Sequence, residues 1–131
     1  MPASILILPP REDKNISGKL TDVEQAVYSA YEDAPIMIEV AKCESRMKQF
    51  TKSGKILRGE LVPSDIGVMQ INEMYHIDTA KRLGFNIHTL EGNIGYGRYL
   101  YEKYGTKPWN ASKACWGKYR EVAEIDKKVR S

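Results

Sequence analysis

Capping and stop signals divide the chain into short helical stretches, and this division most constrains its fold. Residues Thr21–Glu24 have the capping-box pattern, and apolar residues follow them at helical spacing. Asp33 and Pro35 are predicted to provide the cap and the first turn of a second helix, which ends near Arg46. We therefore expect a mostly helical domain.

One stretch after the second helix has a different character. Residues Lys52–Lys55 form a turn signal between Phe50–Thr51 and Ile56–Arg58, which predicts a small β-hairpin. A short helix capped by Ser64 or Asp65 is expected to follow. The other predicted helices are Asp78–Leu83, stopped by Gly84, and Thr89–Tyr104, stopped by Gly105.

Length and composition indicate one globular domain. The 131 residues fit a single core, and we assign residues 1–20 to an N-terminal extension and 21–131 to the domain. The predicted class is α+β, mainly α, with the hairpin after the second helix. A net charge of +3 with interspersed acidic residues disfavours a nucleic-acid binder. No stretch is long enough to span a membrane, and the apolar run Ile5–Leu8 is too short for an export signal.

A glutamate interrupts the apolar side of the second predicted helix. Ile36, Val40 and Glu44 are each four residues apart, so Glu44 is predicted to point toward the core. Burial raises the pKa of a carboxyl group and favours its protonated form, which is the form that a general acid needs. A helix that ends by Cys43 would instead leave Glu44 in water or beside Arg46.

Several segments around Glu44 follow one another in a recognisable order. They are CES (43–45), SDIGVMQIN (64–72), GNIGYGRYLYEKYG (92–105) and PWNAS (108–112). In this order and spacing the chain resembles the lysozyme-like domain of soluble lytic transglycosylases, which cut the glycan strands of peptidoglycan. The resemblance covers about residues 34–116. It implies a lysozyme-like fold, with the cleft between the Glu44 helix with its hairpin and the later helices.

The resemblance implies roles for individual residues. Glu44 matches the family's acid/base glutamate, and Ser45 matches the serine that follows it. In the family's Gly-Leu-Met-Gln segment the glycine keeps the backbone close, and the methionine and glutamine line the sugar groove. The resemblance assigns substrate binding to Ser45, Gly67, Met69, Gln70, Asn93 and Asn110, and Ile94 matches the residue after Asn93 in the segment that opens the next helix.

Trp109 departs from the family pattern. The family has a tyrosine here, whose hydroxyl hydrogen-bonds the catalytic glutamate, whereas an indole N–H is only a donor. Either Trp109 donates to Glu44, or a phenol reaches it. The phenols considered are Tyr75, Tyr96 and Tyr99. Tyr96 and Trp109 are also candidates for the sugar groove, because flat rings suit the apolar faces of sugars.

The family's reaction implies one catalytic carboxyl group and no metal or organic cofactor. Glu44 would protonate the oxygen of the β-1,4 bond between N-acetylmuramic acid and N-acetylglucosamine, and then help the muramyl 6-hydroxyl close a 1,6-anhydro ring. A hydrolytic lysozyme is an alternative, because SDIGVMQIN also resembles a segment of true lysozymes. It would use Asp65 or Glu60 as a second carboxylate, although Asp65 is predicted to cap a helix. A module that binds peptidoglycan without cleaving it is the alternative from another class, and Trp109 favours it.

Two cysteines, Cys43 and Cys115, are too few for a disulfide framework or an all-cysteine zinc site. They are predicted to form one bridge in an oxidising compartment, or to remain two buried thiols. Adding His76 and His88 does not give the spacing of a zinc site. The partner implied by the resemblance is the glycan strand of peptidoglycan, which a monomer would meet in the periplasm, in the cell wall or after secretion.

Overall fold

The computed structural model describes residues 19–119, which are mainly helical with one small antiparallel sheet. Strand β1 (Asp65–Ile66) pairs with β2 (Ile71–Asn72). The helices are α1 (Asp22–Ala30), α2 (Pro35–Ser45), α3 (Glu73–Arg82) and α4 (Leu90–Tyr104), followed by a 3₁₀ helix (Lys107–Ser112) and helical residues 113–119. The predicted α+β class, mainly α, is confirmed. Nearly all of the predicted extension, residues 1–20, lies outside the described residues.

The first two helices have different caps. In α1, Thr21 Oγ1 accepts from Glu24 N–H (3.1 Å) and Glu24 Oε1 accepts from Thr21 N–H (2.8 Å), which confirms the capping box. The prediction that Asp33 caps α2 is wrong, because Ala34 occupies the cap position without a side-chain hydrogen bond. Pro35 follows at the first helical position, where its missing N–H needs no partner.

The segment between α2 and α3 is less regular than predicted. The hairpin expected around residues 52–55 contains only a single bridge, between Phe50 and Ile56. The predicted short helix capped by Ser64 or Asp65 is wrong, because β1, a turn and β2 occupy this stretch. The small sheet is therefore present, but later in the chain than the predicted hairpin.

The turn between the strands explains why no helix forms there. Gly67 and Gln70 have left-handed φ angles of +75° and +51°, which a right-handed helix does not contain. A Cβ atom on Gly67 would also lie 2.4 Å from Asn93 Nδ2, so this position needs glycine. Contacts with distant residues therefore decide the conformation of this segment.

The start of α3 also differs from prediction. It begins at Glu73 rather than Asp78, because Asn72 Oδ1 accepts from Tyr75 N–H (2.9 Å) and so caps the helix. Gly84 follows its end with a left-handed φ of +89°, as a stop signal does. The predicted helix is therefore real but longer toward its N-terminus.

The longest helix within residues 19–119 agrees with prediction, and it packs against α1 and the 3₁₀ helix in the core. Thr89 caps α4 and Gly105 follows its last residue. Helix α1 packs against α2 and α4, and the 3₁₀ helix packs against the same two helices. The largest apolar side chains that are fully buried in this core are Tyr31, Met37, Ile66, Met69, Ile71, Ile87, Tyr96 and Trp116. Within residues 19–119, none of the helices has both the length and the apolar character needed to cross a membrane.

Candidate active site

Glu44 lies in the last turn of α2, at the edge of the helix face that packs into the core. Met37 and Val40 on that face are fully buried, whereas Glu44 is half-buried. Burial raises the pKa of Glu44, while a hydrogen bond from Ser112 lowers it and the charge of Asp65 raises it; the net shift is upward. The carboxyl group therefore keeps its proton to a higher pH than an ordinary glutamate.

A serine hydroxyl holds the Glu44 carboxyl group. Ser112 Oγ, at the end of the 3₁₀ helix, lies 2.5 Å from Glu44 Oε2. Ser112 Oγ also lies 3.1 Å from the carbonyl oxygen of Trp109 and 3.0 Å from Nε1 of Trp116. We call Glu44, Ser112 and Trp116 the carboxylate cluster.

The partners predicted for Glu44 are engaged elsewhere. Trp109 Nε1 donates to the carbonyl oxygen of Met69 (2.8 Å), so the predicted bond from Trp109 to Glu44 is wrong. Among the hydrogen bonds of residues 19–119, no phenol reaches Glu44, and Tyr96 Oη pairs with His76 Nδ1 instead (2.8 Å). Ser112 is the partner that sequence reasoning missed. Its one signal was a hydroxyl side chain within the PWNAS segment.

A disulfide joins the two chain segments that form the carboxylate cluster. Cys43, next to Glu44, is bonded to Cys115, next to Trp116, with their Cα atoms 6.0 Å apart. The predicted pairing of the two cysteines is therefore confirmed. The bridge connects α2 to helical residues 113–119, and it removes both sulfur atoms as ligands for a metal.

Two buried amides hold the turn between β1 and β2. Asn93 Oδ1 accepts from Met69 N–H (2.8 Å), and Asn93 Nδ2 donates to two carbonyl oxygens at 2.9 and 3.0 Å. Gln49 Oε1 accepts from Val68 N–H (2.8 Å). We call Gln49 and Asn93 the amide cluster. Gln49 was not predicted, because nothing local in the sequence distinguishes it from a surface glutamine.

Most of the predicted substrate-binding residues lie beneath the surface. Those that are buried are Ser45, Gly67, Met69, Asn93, Tyr96 and Trp109. Ser45, for example, donates to the carbonyl oxygen of Ala41 (3.1 Å) within α2. Gln70 is half-buried and Asn110 is exposed. These last two are therefore the predicted contacts that a ligand can reach directly.

Asp65 is a second carboxylate that acts on Glu44. It is half-buried in β1, where its Oδ1 accepts from Asn72 Nδ2 (3.1 Å), so the prediction that it caps a helix is wrong. Its charge raises the pKa of Glu44. For His76, burial lowers the pKa and the charge of Asp65 opposes that shift. Glu60, the other predicted candidate, is exposed in the preceding loop.

A row of aromatic rings connects α3 to α4. The ring centroids are 4.8 Å apart for Tyr75 and His76, 5.2 Å for His76 and Tyr96, and 5.4 Å for Tyr96 and Tyr99. Tyr75 is 82% exposed, whereas Tyr96 is 1% exposed. The charge of Asp65 acts on His76 in this row and also on Glu44.

A surface groove of about 700 Å³ lies between α3 and the segment that precedes α4. Its lining includes Glu73, Ile77, Phe85 and His88. None of the residues that line it belongs to the predicted site. This groove is therefore separate from Glu44 and its partners.

Comparisons with family models, with curated proteins and with solved structures gave no match to this chain. The likeness to lytic transglycosylases is accordingly a resemblance of short motifs. The geometry and protonation of the carboxylate cluster provide the independent basis for a proposal of function.

Proposed function

We propose that this chain is a lysozyme-like enzyme domain that cleaves the β-1,4 bond between N-acetylmuramic acid and N-acetylglucosamine in peptidoglycan. The observation that carries the proposal is the half-buried Glu44 carboxyl group, whose pKa is raised by burial and whose Oε2 atom is held by Ser112 at 2.5 Å. A carboxyl group in such an environment keeps its proton to a higher pH than an ordinary glutamate, which suits it to act as a general acid. The order of motifs around Glu44 supports the same activity and the lysozyme-like fold.

One carboxyl group is sufficient for the proposed reaction. In the first step Glu44 gives its proton to the glycosidic oxygen while the bond to C1 of the muramyl sugar breaks, and the N-acetylglucosamine unit leaves as an alcohol. In the second step the Glu44 carboxylate takes the proton of the muramyl 6-hydroxyl, whose oxygen bonds to C1. A 1,6-anhydro ring forms, Glu44 is protonated again, and neither water nor a cofactor is consumed.

A hydrolytic lysozyme reaction is the second candidate, and the position of Asp65 favours it. Asp65 acts on Glu44 through its charge, whereas Glu60 is exposed. In a hydrolase Asp65 would activate water or stabilise the positive charge that develops on the sugar. Because Asp65 lies in β1 and not at the start of a helix, its carboxylate does not serve as a helix cap, which favours this alternative.

We propose that the enzyme works outside the cytoplasm. We also propose that it acts on the glycan strand as a monomer. Disulfides persist mainly in oxidising compartments, and the Cys43–Cys115 bridge lies beside the proposed catalytic group. Gln70 and Asn110 are the accessible polar side chains proposed to contact the sugars. The exposed ring of Tyr75 is proposed to contact an apolar sugar face.

Clearing of a purified cell-wall suspension tests the proposal. The intact protein should clear the suspension, and Glu44→Gln should lower the rate by about 100-fold or more, because general acid–base catalysis contributes about 10²–10⁴-fold. Glu39→Gln is the matched control, since Glu39 is on the same helix but pairs with Lys42 at the surface, and it should keep the rate. If all three proteins leave the walls intact yet sediment with them, the protein is a binding module.

Analysis of the released fragments separates the two enzymatic reactions. Mass spectrometry detects 1,6-anhydro ends after a transglycosylase reaction and reducing ends after hydrolysis. Asp65→Asn provides a second distinction, because a hydrolase that needs Asp65 loses clearing in this variant. A transglycosylase keeps the anhydro product when Asp65 is changed.

A further inference from the structure

The Ser112 hydroxyl has more neighbours than it has protons. Its oxygen lies 2.5 Å from Glu44 Oε2, 3.1 Å from the Trp109 carbonyl oxygen and 3.0 Å from Trp116 Nε1. A serine hydroxyl donates one hydrogen bond and accepts up to two, whereas an indole N–H only donates. The Glu44 carboxylate and the Trp109 carbonyl therefore compete for one proton.

Trp116 resolves this competition, because its Nε1 also lies 3.3 Å from the Trp109 carbonyl oxygen. When Glu44 is ionised, Ser112 donates to the carboxylate and Trp116 donates to the Trp109 carbonyl. When Glu44 is protonated, its O–H donates to Ser112 Oγ, and the serine proton turns to the Trp109 carbonyl. Trp116 Nε1 then donates to Ser112 Oγ. Every polar group in the set keeps a partner in both states.

We propose that the Ser112 hydroxyl is a rotor that hydrogen-bonds both proton states of Glu44, and that Trp116 Nε1 donates to the Trp109 carbonyl in the ionised state and to Ser112 Oγ in the protonated state. The rotor is a property of the folded protein. In catalysis Ser112 would act as a positioning residue, which lets Glu44 first give and then take a proton. This role rests on the function proposed above. It replaces the phenol that the resemblance led us to expect near Glu44.

The surroundings of the rotor keep its partners in place. Trp116 is 1% exposed, so its indole is fixed by packing. The disulfide between Cys43 and Cys115 holds the segments that carry Glu44 and Trp116, and its sulfur atoms do not titrate.

Charged side chains lie on β1 and on the elements that carry Glu44 and Ser112. From β1, the charge of Asp65 acts on the carboxyl group. On α2, Glu39 and Lys42 pair with each other, and Arg46, which follows this helix, is exposed. Lys107 at the start of the 3₁₀ helix and Lys113 after its end are also exposed.

Nuclear magnetic resonance of the unmodified chain tests the rotor directly. The chain has two tryptophans, so its indole N–H signals are readily assigned. The Trp116 signal should shift with the same pH midpoint as the side-chain carboxyl carbon of Glu44, and this transition should disappear in Glu44→Gln. Trp109, whose Nε1 bonds to Met69, is the internal reference and should shift less. A Trp116 signal that does not follow the Glu44 titration would overturn the proposal.

Variants at position 112 provide the second test. Ser112→Ala removes the hydrogen bond to both proton states of Glu44, and because the bond to the ionised carboxylate is the stronger one, the Glu44 midpoint should move to higher pH; Ser112→Thr should restore it toward the original value. Ser29→Ala, which removes an exposed hydroxyl on α1, should leave the midpoint unchanged. An unchanged or lowered midpoint in Ser112→Ala contradicts the rotor.

The rotor and the proposed function can fail separately. If Glu44 is the general acid, the alkaline limb of wall clearing should move to higher pH in Ser112→Ala, in step with the carboxyl midpoint. Coupled titrations without wall clearing would keep the rotor and reject the enzyme. Wall clearing with uncoupled titrations would keep the enzyme and reject the rotor.

Discussion

The amide cluster and the carboxylate cluster differ in charge, in burial and in the kind of partner they bond. Asn93 and Gln49 are neutral, at most 1% exposed, and bonded to backbone atoms. Glu44 is ionisable, half-buried and bonded to a side-chain hydroxyl. Backbone partners are fixed, whereas a hydroxyl group turns at little cost. The amide cluster therefore specifies one conformation, and the carboxylate cluster accommodates two proton states.

This difference shows how buried polar groups divide between structure and chemistry. Asn93 and Gln49 stabilise a turn in which Gly67 and Gln70 have left-handed φ angles. The strands on either side of this turn are only two residues long, so their own pairing holds it weakly. Burial favours the neutral form of Glu44, whereas the hydrogen bond from Ser112 stabilises its charged form. The first arrangement contributes to folding, and the second is suited to proton transfer.

The largest effect is expected from the disulfide, which joins the two chain segments that carry the carboxylate cluster. The double variant Cys43→Ala/Cys115→Ala should lower the free energy of unfolding by about 4 kcal/mol, because the bridge closes a sequence separation of 72. Urea denaturation measures the change, and the reduced wild-type protein should match the double variant. A loss below about 1 kcal/mol would mean that non-covalent contacts already hold the two segments together.

The next largest effect is expected in the amide cluster. Asn93→Ala should lower the free energy of unfolding by about 3 kcal/mol, because Met69 N–H and two carbonyl oxygens lose a buried partner. Asn110→Ala is the matched control, since Asn110 is exposed, and it should stay within about 0.5 kcal/mol of wild type. Equal urea midpoints for the two variants would remove the structural role assigned to Asn93.

The same comparison explains how much of the fold could be predicted. Helices α1 and α4 were predictable because their caps, Thr21 and Thr89, and the stop at Gly105 are local signals. The strands at residues 65–72 were not, because Gln49 and Asn93 impose that conformation from 19 and 24 residues away. Tertiary contacts override a local cap signal in so short a segment.

The site was predictable to a similar extent. The spacing of Ile36 and Val40 correctly places Glu44 beside the core, because helical periodicity is local. Ser112 is 68 residues away and meets Glu44 only in the folded chain. Its role depends on hydroxyl geometry, which no spacing in the sequence encodes.

A third prediction concerns how stability depends on pH. Burial raises the pKa of Glu44 in the folded state, so its stabilising contribution is fully present below the ordinary glutamate value of 4.5 and is lost as pH rises through the folded value. Relative to Glu44→Gln, the wild-type protein should therefore become less stable as pH rises from below 4.5 through the raised pKa of the folded state. Urea denaturation across this range checks the sign. A wild-type protein that gains stability over the variant as pH rises would reverse the assignment.

The smallest effect is expected for Glu39, the other glutamate on the helix that carries Glu44. Glu39 pairs with Lys42 at 3.2 Å, and about one third of each side chain is exposed. Glu39→Gln should change the free energy of unfolding by less than about 0.5 kcal/mol, because water screens a surface pair three residues apart on a helix. Denaturation at low and high salt measures it, and salt should remove what difference there is. If Glu39→Gln shifted the Glu44 titration as Ser112→Ala is expected to do, general charge on α2 rather than the Ser112 hydroxyl would control Glu44.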